Sequence, residues 1–310
     1  MKNRDAKLSP AKLRQRVRSI TGAHQFAVIS DIHGNLEALL AVLAALDRRG
    51  VRDVICLGDV AGYGPHTSQC LELLRRRGIP CLRGNHDEYV SSNDPLPWEL
   101  SPQAAEGAEA DRREVPPADR RSLGRLPWTF ETPDFAFVHA SYPEPTAWWY
   151  VIDERDAGPH LAAQSAKVSF FGHTHRQGGW VSGPAGLRAL TTTTPLFLHP
   201  DLKYALNPVS VGQPRDRDPR AAFLICEPVR RRIEFRRVRY NLTRAIRATG
   251  KPDARKWASA SARERSVRAI RREIAHHQAR RWTEGVSSKF AANGRGDTEP
   301  HAGRSESRSS

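Results

Sequence analysis

The sequence lacks the features that define several large classes of protein. Its four cysteines are spread along 310 residues without a CxxC spacing, which argues against a disulfide framework and favours a reducing compartment. No apolar run approaches the roughly 20 residues that a membrane-spanning helix requires. The N-terminus also lacks the apolar segment of a secretory signal. We therefore expect a cytoplasmic protein without a transmembrane segment.

Net charge is absent from the central part of the chain, although the whole sequence carries +15. Residues 1–24 contain seven basic residues and one acidic residue, and residues 241–310 contain sixteen and seven. Residues 25–240 contain 26 of each sign and are neutral. The basicity therefore belongs to the two ends, which weakens the case for a nucleic-acid-binding domain. We interpret the ends as solubilising, with weak contact to nucleic acid or an anionic surface as the alternative.

Composition divides the chain into three parts. Residues 1–24 are predicted to be a basic N-terminal extension, interpreted as solvated, with room for a short helix after Pro10. Residues 25–245 are the predicted folded domain. Residues 246–310 are predicted to be a basic C-terminal extension, partly helical over residues 262–282 and then disordered.

Short apolar runs and helical segments alternate at the start of the folded domain. Residues 26–30, 54–57 and 79–82 are predicted as buried strands, and residues 36–49 and 67–77 as helices. This β-α-β-α-β order implies parallel strands joined by right-handed crossovers. Such sheets bind ligands beyond the carboxyl ends of their strands. Each of these three strands is followed by polar residues, which makes that edge a candidate site.

The remainder of the domain is richer in β-like runs. Residues 91–125 are interpreted as a helical or irregular insertion, and residues 154–164 as a helix. We expect the β-like runs to form a second sheet packed on the first. The predicted fold is thus a four-layer α-β-β-α sandwich of two mixed sheets with flanking helices, of the α+β or α/β class. The predicted later strands are residues 135–139, 168–172, 187–191, 196–198, 221–226 and 233–238.

Five motifs with metal-binding chemistry each follow an apolar run. Alone, each has an ordinary alternative, such as an aspartate that caps a helix or occupies a turn. Together they offer two aspartates, one asparagine and four histidines, which suits two cations that share a carboxylate. A donor set without thiolate favours Mn, Fe, Co, Ni or Zn over a structural zinc site. The motifs are Asp31-Ile32-His33, Gly58-Asp59, Gly84-Asn85-His86-Asp87, His139-Ala140 and Gly172-His173-Thr174-His175.

Two of these motifs place their ligands two residues apart. Side chains at positions i and i+2 point to the same side of an extended backbone. We therefore expect extended backbone at both motifs, with Asp31 and His33 directed to one cation and His173 and His175 on one face.

The order D-x-H, G-D, G-N-H-D, H, G-H-x-H resembles that of the calcineurin-like metallophosphoesterase superfamily over residues 26–240. Residues 58–65 and 207–216 resemble a prokaryotic branch of small phosphodiesterases and phosphatases. Residues 83–87 are also similar to a loop of Ser/Thr protein phosphatases and diadenosine tetraphosphatases. The resemblance identifies residues 25–245 as a metallophosphoesterase domain.

The resemblance implies roles for the motif residues. It implies two divalent metal ions, with Mn expected first and Fe, Ni, Co or Zn as alternatives. His86 is implied as proton donor or transition-state stabiliser, oriented by Asp87, and Arg83 as the residue that grips phosphate. Asn85 and Tyr63 are our further candidates for substrate contact. The implied ligands are Asp31, His33 and His175 for one metal, Asn85, His139 and His173 for the other, and Asp59 as the bridge.

Two positions depart from the family pattern. Val209 stands where glycine is expected, and Gln177 stands where proline is frequent. Both lie in loops near the predicted site, so they concern substrate fit more than metal binding. Tyr63 and the run Trp148-Trp149-Tyr150 are interpreted either as the lining of a substrate pocket or as packing aromatics. If they stack a base or an aryl group, the substrate is a nucleotide or a nucleic acid.

The predicted function is that of a binuclear metal-dependent phosphoesterase. By the resemblance, a metal-bridging hydroxide attacks phosphodiesters or small phosphomonoesters directly. A phosphoprotein phosphatase and a dinucleoside polyphosphate hydrolase are the alternatives within the enzyme class. A non-catalytic scaffold of the same fold is a further alternative, which a complete ligand set disfavours. The expected partner is a small phosphate ester, and the sequence predicts no oligomeric state.

Overall fold

The first β-sheet contains the earliest strands of the chain and two of the latest. The computed structural model describes residues 10–98, 100–190 and 194–250. The strands of this sheet are β1 (Phe26–Ile29), β2 (Val54–Cys56), β8 (Leu196–Phe197), β10 (Ala221–Glu227) and β11 (Arg232–Val238). Their spatial order is β2-β1-β10-β11-β8. β1 and β2 are parallel, whereas β10 is antiparallel to both β1 and β11.

The second sheet has six strands and is also mixed. Its strands are β3 (Thr129–Glu131), β4 (Phe135–Val138), β5 (Val168–Phe170), β6 (Gly178–Gly183), β7 (Gly186–Ala189) and β9 (Lys203–Asn207). Their spatial order is β3-β4-β5-β9-β6-β7. β4, β5 and β9 form a parallel centre, to which β3 and β6 add antiparallel neighbours. β4 and β5 therefore end at the same edge of the sheet.

Helices connect and cover the strands. The described residues form α1 (Pro10–Thr21), α2 (Leu36–Asp47), α3 (Thr67–Arg76), α4 (Asn85–Ser91), α5 (Pro102–Glu114), α6 (Pro117–Leu123), α7 (Glu154–Ala163) and α8 (Leu242–Ala248). Side-chain caps fix several of their starts. The Asn35 side chain accepts a hydrogen bond from the Ala38 amide at 3.1 Å, and Asp153 accepts one from the Arg155 amide at 2.9 Å. α5 and α6 are the helices of the predicted insertion.

The core between the two sheets is built on aromatic packing. Phe26 of β1 meets Phe135 and Phe137 of β4 edge-on, with ring centroids 5.3 and 6.3 Å apart. Phe137 stacks on Phe170 of β5 at 5.3 Å. Edge-to-face and offset-stacked pairs are the favoured arrangements of such rings. These contacts lock the sheets face to face and fix the edge at which their parallel strands end.

Helices pack on the outer faces of both sheets. On the first sheet, Leu39 and Val42 of α2 and Leu74 of α3 belong to one buried cluster with the strand residues. On the second sheet, Leu161 of α7 packs with Phe171 in another. The four-layer α-β-β-α sandwich of two mixed sheets is therefore confirmed. All four cysteines are buried and free, as expected of core residues in a chain without a disulfide framework.

Sheet membership differs from the prediction in two respects. The strands expected at residues 196–198, 221–226 and 233–238 join the first sheet, because β10 pairs with β1 and brings β11 and β8 with it. Residues 79–82 form no strand. They contribute an isolated parallel bridge between Cys56 and Cys81. Pairing with β2 does not continue beyond it, because the Arg83 amide donates its hydrogen bond to the Pro127 carbonyl.

The N-terminal extension is not wholly solvated. The short helix expected after Pro10 forms as α1, and Val17 and Ile20 are buried in the core between the sheets. Burying an aliphatic side chain of this size contributes about 1.5–3 kcal/mol, which exceeds the cost of ordering it. The predicted C-terminal extension lies outside the described residues beyond residue 250. Across the described ranges, no helix combines the length and apolarity needed to cross a membrane.

Candidate metal centre

Polar side chains from both sheets converge where parallel strands end. Asp31 follows β1, Asp59 follows β2, His139 follows β4 and His173 follows β5. All four side chains are almost fully buried. Because the sheets are packed face to face, the carboxyl ends of these strands meet at one edge of the sandwich. This is the position at which ligands of parallel sheets bind.

The first ligand group comprises Asp31, His33, Asp59 and His175. Nε2 of His33 lies 3.1 Å from Nε2 of His175, and Nε2 of His175 lies 3.2 Å from Oδ1 of Asp31. Nε2 of His33 is 3.6 Å from Oδ2 of Asp59. Two imidazole nitrogens and two carboxylates therefore face one point, which suits a divalent cation.

The second ligand group comprises Asp59, His139 and His173. Nε2 of His139 lies 3.5 Å from Oδ2 of Asp59 and 3.2 Å from Oδ1 of Asn85. Oδ2 of Asp59 is thus close to an imidazole of each group. One carboxylate oxygen in that position fits a bridge between two cations.

The opposite nitrogens of the imidazoles support this interpretation. Nδ1 of His33, His139 and His175 faces the carbonyl oxygens of Ala61, Leu57 and Gln213 at 2.9, 3.1 and 2.7 Å. A carbonyl oxygen can only accept a hydrogen bond, so each Nδ1 carries a proton, and Nε2 is the nitrogen of each ring that faces the centre and can bind a cation. Among the described residues, Nε2 of His173 is buried without a hydrogen-bond partner. The donor set therefore fits two divalent metal ions.

The electrostatics of the centre distinguish His139 from its other three imidazoles. Burial lowers the pKa of His33 and His175, and it lowers the pKa of His173 to about 3, so these rings are neutral. Burial also disfavours protonation of His139, but the Asp59 carboxylate outweighs it and raises the pKa of His139 to about 9. Burial opposes ionisation of Asp59 as well, yet His139 and His86 lower the pKa of that carboxyl well below its usual range.

The backbone at the ligands is left-handed, so the expectation of extended strand ends is wrong. Asp31 and His33 have φ angles of 54° and 50°, and His173 and His175 have 65° and 55°. Each such residue costs about 1–2 kcal/mol relative to the right-handed regions. Tight turns rather than a strand pleat bring the ligands together. Strain of this kind is concentrated at functional sites, where the surrounding structure holds it.

Asp87 supports the loop that carries Asp59. Its carboxylate accepts hydrogen bonds from the amides of Asp59, Val60, Ala61 and Gly84 at 2.8–3.0 Å. In the described contacts, this carboxylate makes no bond to the His86 ring. The predicted role of Asp87 in orienting His86 is therefore not favoured by the geometry. Asp87 instead positions the backbone that carries Asp59.

Comparison with known proteins gives the family of the chain. Residues 25–228 match the model of the calcineurin-like phosphoesterase superfamily domain. The chain belongs to the calcineurin-like phosphoesterase superfamily. It is therefore a metal-dependent hydrolase of phosphoric esters. The match includes the strands and turns that carry both ligand groups.

Individual relatives agree with this membership of the superfamily. An uncharacterized protein of Methanocaldococcus jannaschii is 32% identical over 235 residues, covering 74% of this chain and 94% of that protein. The crystal structure of a metallophosphoesterase from Sphaerobacter thermophilus superposes with a TM-score of 0.65 at 30% identity, covering 77% and 100% of the two chains. Serine/threonine-protein phosphatase 1 of Salmonella typhimurium is 27% identical over 158 residues, or 46% of this chain and 70% of that one.

His86 lies beside the first ligand group. It lies in the first turn of α4, and its amide donates to Oδ1 of Asp59 at 2.9 Å. Its ring contacts His33 edge-on at 4.9 Å, and its Nδ1 is buried without a hydrogen-bond partner among the described residues. Burial lowers the pKa of His86 to about 4, and the charge of Arg215 acts in the same direction. The ring is therefore neutral at physiological pH.

The Arg83 side chain, which the sequence predicts to grip phosphate, contacts protein groups. Its guanidinium donates to the Gly124 carbonyl and lies 4.1 Å from the ring centroid of Trp128. These protein contacts do not favour the predicted grip on phosphate.

Arg215 is the functional candidate that sequence reasoning missed. Its Nη2 donates to the Tyr63 hydroxyl at 3.1 Å and to Oε1 of Gln213 at 2.9 Å. Its amide donates to the carbonyl of His175 at 2.9 Å, which ties it to the first ligand group. The only available sequence signal was its place within residues 207–216, which carried part of the family resemblance.

Tyr63 connects this arginine to the centre. Its ring lies 4.8 Å from both His33 and His86. The insertion supports the Tyr63 turn, because Asp111 of α5 accepts a hydrogen bond from the Gly62 amide at 2.7 Å. Gly107 is needed beside it, since a Cβ there would collide with the Tyr63 backbone.

The two departures from the family pattern lie in ordered contacts. Val209 is buried with φ at 84°, and its amide donates to Oδ1 of Asn207 at 2.8 Å. Gln177 accepts a hydrogen bond from Arg237 at 3.3 Å, and its amide donates to Asp216 at 3.3 Å. Neither side chain belongs to a ligand group.

Proposed function

We propose that the protein is a binuclear metallophosphoesterase that hydrolyses phosphodiesters or small phosphomonoesters. The observation that carries the proposal is the position of Asp59. One oxygen of its carboxylate lies 3.6 Å from His33 of the first group and 3.5 Å from His139 of the second. A shared carboxylate between two histidine-rich groups suits a pair of ions and phosphoryl chemistry.

Two divalent ions bound at these groups would supply a water-derived nucleophile near neutral pH and neutralise charge on phosphate. Asp31, His33, Asp59 and His175 would hold one ion. Asp59, Asn85, His139 and His173 would hold the other. The nitrogen and oxygen donors favour Mn, with Fe, Co, Ni or Zn as alternatives.

Arg215 is proposed to hold a phosphate oxygen. Within the described residues, its side-chain hydrogen bonds go to the Tyr63 hydroxyl and the Gln213 amide oxygen, so no carboxylate hydrogen bond cancels its charge. That charge reaches the reaction site, because it contributes to the lowered pKa of both His86 and His175. A guanidinium binds two phosphate oxygens in a fixed geometry, which makes arginine well suited to this role.

His86 is proposed to stabilise the leaving oxygen. Its ring is neutral at pH 7 and carries one N–H donor. It therefore donates a hydrogen bond to the departing oxygen and stabilises the negative charge that develops there. Tyr63 positions the rings of His33 and His86 and the guanidinium of Arg215, so it acts through them.

A phosphoprotein phosphatase is the second candidate. It is supported by the likeness to the serine/threonine-protein phosphatase of Salmonella typhimurium, which covers 46% of this chain. A small diester, a small monoester and a phosphopeptide discriminate between the two. The proposed function predicts faster turnover of the small esters, whereas dominant turnover of the phosphopeptide would favour the second candidate.

The test uses the full chain, stripped of metal and reloaded with Mn, Fe, Co, Ni or Zn. Bis(p-nitrophenyl) phosphate, p-nitrophenyl phosphate and a phosphopeptide are compared for each metal. We expect activity to return only with metal and to be lost in Asp59→Asn, whose amide is a poor bridge. Full turnover by Asp59→Asn, or by the metal-free protein, would contradict the proposal.

A further inference from the structure

A row of aromatic rings leads away from the second ligand group. We call it the aromatic shelf and define it as Tyr150, Trp148 and Trp128. Tyr150 stacks on His173 with centroids 4.1 Å apart and planes inclined by 28°. Trp148 meets His139 edge-on at 5.9 Å, and Trp128 lies 5.5 Å from Trp148. The row therefore begins at two metal ligands and runs outward.

Arg83 closes the outer end of this row. Its guanidinium lies 4.1 Å over the Trp128 ring, and it is half-buried. A planar cation on an aromatic face is a stable arrangement that keeps several N–H donors at its rim. Arg83, which the sequence predicts to bind phosphate, is thus placed to donate hydrogen bonds to polar atoms at the edge of a ring that stacks on the aromatic shelf.

The shelf differs from the aromatic core of the protein. Phe26, Phe137 and Phe170 are fully buried between the sheets. All three shelf rings are only half-buried and belong to none of the buried clusters. Trp148 also has φ at 59°, a left-handed conformation that is costly for a bulky side chain. Packing alone does not require these rings to be held beside metal ligands.

We propose that the aromatic shelf binds the base of a nucleotide substrate. The inference rests on the proposed function, which places the phosphate at the metal centre. In a nucleoside 5′-phosphate ester, one sugar separates phosphate from base. With the phosphate near His139 and His173, the base stacks on Trp148 and Trp128, and its polar edge faces Arg83. Stacking on aromatic side chains tolerates any base, so the shelf selects nucleotides as a class.

Two ligands that differ only in the base test this proposal. They are the non-hydrolysable methylenephosphonate analogues of adenosine 5′-monophosphate and of ribose 5-phosphate. Binding of each to the Mn-loaded full chain is measured by titration calorimetry. We expect the adenosine compound to bind about tenfold more tightly, as one stacked base contributes in other proteins.

Variants assign that preference to the shelf. Trp148→Leu and Trp128→Leu are each expected to reduce the tenfold ratio at least threefold and to leave binding of the ribose compound unchanged. Trp149→Leu is the matched control, since it alters the neighbouring tryptophan and is expected to keep the ratio. Thermal unfolding and Mn content confirm that each variant is folded and loaded.

The outcomes separate the shelf from the proposed function. Equal binding of the two compounds by the wild-type protein overturns the shelf, even if metal-dependent hydrolysis is observed. A ratio that survives in both Trp148→Leu and Trp128→Leu also overturns it. Conversely, the wild-type protein could show the base preference but hydrolyse no phosphate ester. That result would contradict the proposed function and still support the base-binding role, because that role is measured by binding.

Discussion

The two ligand groups share Asp59, but their surroundings differ. In the first group, His33 and His175 are both anchored to backbone carbonyls through Nδ1, at 2.9 and 2.7 Å, and Tyr63 and Arg215 lie against it. In the second, His139 has such an anchor at 3.1 Å, whereas His173 is held by the stacked ring of Tyr150. The first group is thus surrounded by the Arg215 guanidinium and hydrogen bonds, and the second by aromatic rings.

This difference suggests a division of labour between the two sides. Anchored imidazoles have fixed orientation and higher basicity, which favours tight metal binding at the first group. The guanidinium beside that group adds a phosphate contact. The half-buried rings beside the second group suit the remainder of a substrate. The comparison therefore predicts that charge changes matter most on the first side and shape changes most on the second.

The largest effect is expected at Arg215, with Arg83 as the comparison. Arg215→Met should lower kcat/KM about 10²–10³-fold, the usual loss when one preorganised donor to a transition state is removed. Arg83→Met should change kcat/KM toward a non-aromatic phosphate ester by less than about threefold, because its partners are protein groups. Both variants should keep their Mn content.

A large loss of kcat/KM in Arg83→Met together with a small loss in Arg215→Met would contradict the assignment of the phosphate contact to Arg215. Added guanidinium ion gives a second readout. It should restore part of the activity of Arg215→Ala, since the missing group is a soluble cation, and a purely structural defect would not respond.

Asp87→Asn should weaken both ligand groups together. Its carboxylate accepts hydrogen bonds from four backbone amides around Asp59. An asparagine keeps one accepting oxygen and replaces the other with an NH₂ group, which is itself a donor and cannot accept from those amides. Loss of such supporting contacts typically costs 10–100-fold in metal affinity. Calorimetric Mn titration measures this, with Asp47→Asn as control, since Asp47 forms an exposed ion pair with Arg77. Weakening of only one group would refute the shared role of Asp59.

The pH dependence of metal uptake should distinguish the groups. His139 holds a proton below its pKa of about 9, and an incoming cation must displace it. Affinity of the second group should therefore rise about tenfold per pH unit between pH 6.5 and 8.5, with release of one proton. His33 and His175 are already neutral there, because burial lowers their pKa values, so the first group should show little change. An equal dependence of metal affinity on pH for both ions would contradict this difference between the two groups.

The smallest effect is expected at Val209, on the side of the first group. Valine in a left-handed conformation costs about 1–3 kcal/mol, whereas its burial contributes about 1.5–3 kcal/mol. Val209→Gly should therefore change the free energy of unfolding by less than about 1 kcal/mol, measured by urea denaturation. A gain above about 2 kcal/mol would show that strain outweighs packing at this position.

Much of this arrangement follows from local sequence. Apolar runs before Asp31, Asp59, His139 and His173 predict strands, and parallel strands bring their carboxyl ends to one edge. The chemistry of the residues then predicts a two-metal site, and the ligand groups of the structure contain the predicted aspartates and histidines.

Other features depend on contacts that are distant in sequence. Arg215 reaches Tyr63 across 152 positions, and no local periodicity marks that pair. β10 pairs with β1 as well as with β11, which places the last strands in the first sheet, because pairing partners are chosen by the whole fold. The left-handed turns at Asp31 and His173 oppose intrinsic preference, so propensity predicts extended backbone there. Arg215 and the left-handed turns lie at the site, where local and global requirements conflict.

The measurement that tests the central claim most directly is the metal content of the active full chain. Elemental analysis should find two divalent ions per chain, and anomalous diffraction should place them on either side of the Asp59 carboxylate. In Asp59→Asn, both the content and the hydrolysis of phosphate esters should fall together. A fully active protein with one ion, or with ions remote from Asp59, would contradict the account.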